Sequence, residues 1–168
     1  VNGSLQGNGS LRKLDTGTLV LNGANSYLGG TSLNAGSLVV GSNTALGFGG
    51  LTTMAGTTLD ATTAVTLANA TTLNGNLTVL GSNALTLAGN INGAGSLTKN
   101  GAASLTLSGA NNFLGGVTLN AGTLTAGSNG ALGLGNLTVA GASALDSNTS
   151  VSLGNNVVLN ANLTNTGN

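Results

Sequence analysis

The sequence predicts an all-β protein, a single-stranded parallel β-helix of about eight turns, with roughly 20 residues and three short strands in each turn. Three observations predict this fold class. A long segment of the chain repeats without a gap, apolar residues recur at a shorter constant spacing, and short triplets alternate apolar and polar residues. No helical periodicity persists over three turns of helix.

The long repeat is an offset of 86 residues. Residues 1–82 align with residues 87–168, and about half of the pairs are identical. Residues 23–51 return, for example, as residues 109–137 with mostly conservative changes. We therefore expect one β-helix segment over residues 1–168, with a first repeat at 1–86 and a truncated second repeat at 87–168. Neither terminus resembles a polar cap, which predicts that the segment is part of a longer chain.

A shorter period of about 20 residues lies inside the repeat and forms columns of inward-facing residues. Three columns are Leu11, Thr31, Leu51, Thr71 and Ile91; Leu77, Leu97, Val117, Leu137 and Val157; and Leu85, Leu105, Leu124 and Leu145, where Leu124 is one residue out of step. Columns of like residues are what in-register stacking of parallel strands requires, and they favour a solenoid over a sandwich of hairpins. On this spacing the long repeat holds about four turns, with a few extra residues in loops.

The strands themselves are predicted by triplets in which two apolar residues flank a polar one. The triplets begin at Val65, Leu77, Leu85, Leu105, Val117 and Leu137. The side-chain period of two sends the flanking residues inward and the central Thr outward. Asn and Gly lie between triplets, and we expect the Asn side chains to stack at corners as amide ladders.

The amino-acid composition argues against several classes of protein. Charged residues are 4% of the chain and the net charge is zero, so no basic footprint for nucleic acid exists. No apolar run approaches the ~20 residues that a membrane-spanning helix needs, so we expect no membrane insertion by this segment. A hydrophobic content of 40% argues against disorder.

Few residues have side chains suited to catalysis or metal binding. There is no His, Cys or Glu, and the carboxylates are Asp15, Asp60 and Asp146. Asp60 and Asp146 are one repeat apart, far beyond the spacing of paired catalytic carboxylates, and are interpreted as turn-stabilising residues. Ser and Thr have no His to act as their base. We therefore predict no catalytic residues, no metal or cofactor site, and no enzyme.

Two features have alternative interpretations. Outward positions at 20-residue steps read Thr78, Thr98, Thr118 and Thr138, and in the first copy Ser32, Thr52 and Thr72, which predicts a straight hydroxyl column on one face. Such a column raises ice binding as a minor alternative. Tyr27 and Phe113 occupy matching positions and are interpreted as rings that cover the core at a corner, with sugar stacking as the other possibility.

The stretch from Ser104 to Leu132 resembles the passenger-associated transport repeat of autotransporters, and Thr18 to Leu46 resembles it nearly as well. The pattern is carried by Leu105, Leu107, Gly109, Asn111, Phe113, Gly115, Gly116, Leu119, Gly122 and Leu124. Lys99 and Gly101 fit its lead-in, whereas Val117 replaces the usual Thr and Asp15 stands where the first copy would have Gly. The resemblance implies a right-handed parallel β-helix that is secreted by a Gram-negative bacterium through an outer-membrane barrel.

The function expected is a non-catalytic stalk or filament segment of a secreted surface protein. The alternative is an adhesin or self-association module that binds glycans, a host surface or sister molecules. Expected partners are copies of the chain itself, end to end or side by side, and the barrel of the same chain during export.

Overall fold

The computed structural model describes residues 1–167 and contains strands only. Nineteen strands are found among these residues, each of two to five residues. They are β1 Leu11–Lys13, β2 Thr18–Leu21, β3 Thr31–Leu33, β4 Ser37–Val40, β5 Leu51–Thr53, β6 Thr57–Ala61, β7 Val65–Leu67, β8 Thr71–Leu73, β9 Leu77–Val79, β10 Leu85–Leu87, β11 Ile91–Asn92, β12 Leu97–Lys99, β13 Leu105–Leu107, β14 Val117–Leu119, β15 Gly122–Ala126, β16 Leu137–Val139, β17 Ser143–Ser147, β18 Val157–Leu159 and β19 Leu163–Asn165.

The strands form three parallel sheets in a solenoid of about eight turns. The eight-stranded sheet spans residues 18–159, the five-stranded sheet residues 11–92 and the six-stranded sheet residues 65–165. The five-stranded sheet has the order β1-β3-β5-β8-β11, the six-stranded sheet β7-β10-β13-β15-β17-β19, and the eight-stranded sheet β2-β4-β6-β9-β12-β14-β16-β18. Successive turns contribute successive strands to each sheet, which confirms the predicted parallel β-helix. Among the residues described, no helix has the length and apolarity that crossing a membrane would require.

The observed register confirms the three predicted columns. Leu77, Leu97, Val117, Leu137 and Val157 pair in sequence in the eight-stranded sheet. Leu105 pairs with Leu124, and Leu124 pairs with Leu145, so the one-residue slip is absorbed within the six-stranded sheet. Buried Leu, Val and Ala from all three sheets form one continuous core along the axis.

The long repeat holds four and a third turns, which corrects the expectation of about four. Strands β1, β3, β5 and β8 belong to the five-stranded sheet, but their equivalents 86 residues later, β12, β14, β16 and β18, belong to the eight-stranded sheet. Likewise β2, β4, β6 and β9 of the eight-stranded sheet correspond to β13, β15, β17 and β19 of the six-stranded sheet. Four turns of 20 residues leave six residues of the 86-residue repeat, which is about one strand and one corner. Equivalent residues of the two copies therefore lie a third of a turn apart around the axis.

Candidate functional site

The three carboxylates are dispersed in the structure. Asp60 lies in β6 of the eight-stranded sheet, whereas Asp146 lies in β17 of the six-stranded sheet. Both are strand residues. Asp60 accepts hydrogen bonds from the backbone N–H and hydroxyl of Ser82 in the next turn, and Asp146 accepts one from the backbone N–H of Ser147. Residues 1–167 contain no group of three His, Cys, Asp or Glu side chains that could share a metal ion.

Two buried asparagines replace strand pairing where loops interrupt the sheets. The carboxamide oxygen of Asn25 accepts a hydrogen bond from Leu5 N–H at 2.8 Å, and its NH2 group donates to the carbonyl of Ala45 at 2.5 Å. Asn111 repeats this with Ile91 N–H at 2.8 Å and the Ala131 carbonyl at 2.6 Å. Each side chain thus joins three successive turns.

Another asparagine of each copy bonds to the two glycines that flank an outward-pointing apolar residue. The NH2 group of Asn69 donates to the carbonyls of Gly47 at 3.0 Å and Gly49 at 2.6 Å, on either side of Phe48. Asn155 repeats this contact with Gly133 at 3.0 Å and Gly135 at 2.7 Å, on either side of Leu134. Phe48 and Leu134 are both 70% exposed.

The backbone at these loops requires glycine. Gly47 has φ of +61° and Gly133 has φ of +67°, a region that L-residues rarely adopt. A Cβ at Gly47 would also lie 2.4 Å from the Tyr27 carbonyl oxygen, and one at Gly133 would lie 2.6 Å from that of Phe113. The outward position of Phe48 and Leu134 therefore follows from a tightly determined backbone.

Each of these residues has an apolar neighbour in the preceding turn. Phe48 N–H bonds to the carbonyl of Tyr27 at 3.0 Å, next to exposed Leu28. Leu134 N–H bonds to the carbonyl of Phe113 at 2.9 Å, next to exposed Leu114. We call Leu28 with Phe48 the first display pair and Leu114 with Leu134 the second. Their signal in the sequence is the pattern Gly-apolar-Gly at residues 47–49 and again at residues 133–135.

Two lysines point into the solenoid from strand ends. The Lys99 side chain is fully buried, and its ammonium donates to the carbonyls of Asn100 at 2.5 Å, Gly101 at 2.8 Å and Ala121 at 3.3 Å. Lys13 makes the equivalent contacts with the carbonyls of Asp15 and Ala35. Burial lowers the pKa of Lys99, while the three carbonyl oxygens match the three ammonium donors. The lysine of the lead-in is thus a corner-stabilising residue.

The predicted hydroxyl column is resolved into separate columns on three sheets, so the expectation of a single face is wrong. Ser32, Thr52 and Thr72 stack in the five-stranded sheet, and Thr66, Thr86, Thr106 and Thr125 in the six-stranded sheet. The eight-stranded sheet carries the longest column: Thr18, Ser37, Thr58, Thr78, Thr98, Thr118 and Thr138. Ice binding by this column stays a prediction, with thermal hysteresis as its test.

Corner amides and the two aromatic rings behave as core and corner elements. Asn22 donates to the Asn2 side chain at 2.9 Å and Asn120 to the Asn100 side chain at 2.7 Å, so amides pair between adjacent turns at two corners. Tyr27 and Phe113 are buried, and the Tyr27 hydroxyl bonds to that of Thr31 at 2.5 Å. Burial of both rings leaves no face open for stacking on a sugar.

Comparison with known proteins identifies the repeat. A family model described as the passenger-associated-transport-repeat matches residues 11–40 and 97–126. Each match covers four strands, β1–β4 and β12–β15, with the loop that contains the buried asparagine. The chain is therefore a parallel β-solenoid in which two stretches match the passenger-associated transport repeat.

A curated relative shares part of this sequence. The chain is 53% identical over 47 residues to the adhesin BmaC autotransporter of Brucella suis biovar 1 (strain 1330), and the aligned part covers 28% of this chain and 1% of that adhesin. No solved structure matches the chain. The two similarities, to a passenger-associated transport repeat and to an autotransporter adhesin, support an autotransporter passenger that carries this repeat.

Proposed function

We propose that this chain is a non-catalytic rod segment of the secreted passenger. The observation that carries the proposal is the continuous parallel stacking of the turns in three overlapping sheets between residues 11 and 165. Neighbouring turns are bonded to each other through backbone groups of strands and loops, so tension along the axis is shared among these hydrogen bonds and one continuous core.

The distribution of polar groups supports a structural role. Asp60 and Asp146 belong to different sheets and bond to neighbouring backbone, and the chain has no His to activate a Ser or Thr hydroxyl. The buried polar side chains Asn25, Asn111 and Lys99 bond to backbone groups in adjacent turns. These groups stabilise corners and loops of the rod.

The fold also suits export through an outer-membrane barrel of the same chain, which we include in the proposal. A solenoid gains stability turn by turn, because each turn contacts only its neighbours. About 20 residues that emerge from a barrel form one turn, which is enough to pair with the last completed turn. Stacking outside the membrane then favours forward movement of the chain.

The test is a pair of deletions in the full-length passenger. Removal of residues 78–97 joins Leu77 to Thr98, and since Leu77 and Leu97 are paired, the remaining turns keep their register. Removal of residues 78–87 joins Leu77 to Ala88 and places the following strands half a turn out of register. We expect the first variant to reach the cell surface and resist protease, and the second to be degraded or retained. Equal export and equal protease resistance of the two variants would contradict the rod.

A second candidate function is adhesion, favoured by the two exposed display pairs and by the adhesin that shares part of this sequence. A cell-aggregation and surface-binding assay distinguishes the two functions. Adhesion predicts that serine substitution of both display pairs lowers aggregation or binding at unchanged surface density. A rod alone predicts no change in these variants.

A further inference from the structure

The two display pairs lie on different faces of the rod. In the first copy, Asn43 lies in the loop that carries Phe48 and accepts a hydrogen bond from the backbone N–H of Thr66 in β7. This loop therefore stacks, one turn earlier, on the first strand of the six-stranded sheet. In the second copy, the backbone N–H of Asn112 donates at 2.9 Å to the carbonyl of Ile91 in β11, so this loop continues the five-stranded sheet. The third-of-a-turn rotation of the strands therefore applies to the display pairs as well.

We propose that each display pair is a contact site for a second copy of this chain, and that successive repeats point these sites in different directions around the rod. The proposal rests on the adhesive function considered above and names its partner. It differs from end-to-end stacking because the contact is made by the flank of the rod.

The first reason for a second copy as partner is the shape of the site. At the first display pair, Leu28 borders a shallow hollow. Glycines of two turns line it, together with the outward hydroxyl residues Ser32, Thr52 and Thr72 of the five-stranded sheet. A projecting apolar side chain beside a hollow on one surface can match the same surface of another molecule related by a twofold axis. Phe48 of one copy would then lie in the hollow of the other, and the reverse.

The second reason is electrostatic. None of the six charged residues of the chain lies in the loops 22–30, 41–50, 108–116 or 127–136 that carry the display pairs, and the net charge is zero. Two copies therefore approach without repulsion between like charges. A charged partner would gain no electrostatic attraction at this site.

The third reason concerns size and number. A stable protein pair buries about 800 Å² on each partner, more than two apolar side chains supply, so one display pair forms only a weak contact. Repetition of the contact along the rod raises the overall affinity through effective concentration. Because the two pairs are about 20 Å apart along the axis and a third of a turn apart around it, they recruit different neighbours, which favours a network of rods over isolated pairs.

The test is sedimentation equilibrium of the chain over a concentration series, with circular dichroism to confirm that each variant folds. We expect the unmodified chain to form species larger than a dimer. The variants Leu28→Ser/Phe48→Ser and Leu114→Ser/Leu134→Ser keep one pair each and stop at the dimer. The variant with all four substitutions has an association constant at least tenfold lower, and Phe48→Leu, which installs the residue of the second copy, associates as the unmodified chain does.

Two controls make the test decisive. The double variant Leu14→Ser/Leu80→Ser removes exposed apolar side chains outside the display pairs and should leave association unchanged. Leu159→Asp alters an inward-facing residue of β18 that lies open at the end of the stack and should also leave it unchanged. A monomeric unmodified chain, association that survives the four substitutions, or equal loss in either control would overturn the proposal. Export of the four-site variant at normal level, read in parallel, tests the rod separately.

Discussion

The two copies of the repeat share a backbone but differ in the chemistry of their inward positions. The first copy, residues 1–86, has Thr31, Thr53 and Thr71 where the second copy, residues 87–168, has valines. The valines are Val117, Val139 and Val157. Thr31, Thr53 and Thr71 are all buried. The difference teaches that this solenoid accepts hydroxyl groups in its core because Thr and Val are of similar shape. The Thr31 hydroxyl bonds to that of Tyr27, whereas the Thr53 hydroxyl is buried without a partner among residues 1–167.

The largest expected effect concerns a feature that the copies share, the buried asparagine of the loop. Asn111→Ala leaves Ile91 N–H and the Ala131 carbonyl without partners, and we expect a loss of about 3 kcal/mol in the free energy of unfolding. Asn25→Ala should cost a similar amount because its contacts are the same. Urea denaturation measures both, with exposed Asn112→Ala as the matched control. A loss for Asn112→Ala as large as that for Asn111→Ala would show that the bridging contacts are not the cause.

The next largest effect is a difference in stability between variants of the two lysines, Lys99 and Lys13. Lys99→Met removes an ammonium held by three carbonyls, and we expect a cost of about 2 kcal/mol, whereas Lys13→Met should cost less because Lys13 has two carbonyl partners. The same denaturation experiment compares the two variants. Equal costs would mean that packing of the lysine stem, and not the ammonium contacts, sets the stability.

Lys99 also predicts a pH dependence. Burial lowers the pKa of Lys99 below its ordinary value of 10.5. Between the lowered pKa and 10.5 the unfolded chain binds more protons than the folded chain, so the stability should rise with pH over this interval. Tyr27 has the opposite effect, since burial raises its pKa above 10.0 and stability falls once the unfolded tyrosine ionises. Unfolding measured against pH in a Tyr27→Phe background should show the rise, and Lys99→Met in that background should abolish it.

A smaller change in the free energy of unfolding is expected on removal of the hydrogen-bonded hydroxyls of Tyr27 and Thr31 in the first copy. Tyr27→Phe and Thr31→Val each orphan one buried hydroxyl and should each cost about 1 kcal/mol. The double variant reproduces Phe113 and Val117 of the second copy and should be nearly as stable as the parent, which is a favourable coupling of about 1–2 kcal/mol. Additive losses in the double-mutant cycle would refute the proposed equivalence of the two arrangements.

The smallest expected effect is a gain in the free energy of unfolding. Within residues 1–167, the buried hydroxyl of Thr53 has no hydrogen-bond partner, and Val139 is the equivalent residue of the second copy. Thr53→Val should therefore stabilise the chain by about 1 kcal/mol. Thermal unfolding measures this gain, and Thr52→Val in the same strand is the control, because Thr52 faces outward and is half-buried. An equal gain in the control would indicate strand propensity as the cause.

The sequence by itself determined the strands, the inward and outward sides of each strand, and the 20-residue columns. These features follow from the side-chain period of two and from a constant spacing, which are properties of short segments. The slip at Leu124 was visible in advance for the same reason, since an inward Leu one residue out of step still has to pair with Leu105 and Leu145.

Only the tertiary structure decided which sheet each strand joins. That assignment depends on the summed lengths of all preceding corners and loops, and a remainder of six residues in 86 moves the second copy by one sheet. It therefore separates Asp60 from Asp146, divides the hydroxyl residues among three columns, and places the display pairs on different faces. The roles of Lys99, Asn69 and Asn111 also depend on partners about 20 residues away, which become neighbours only when turns stack.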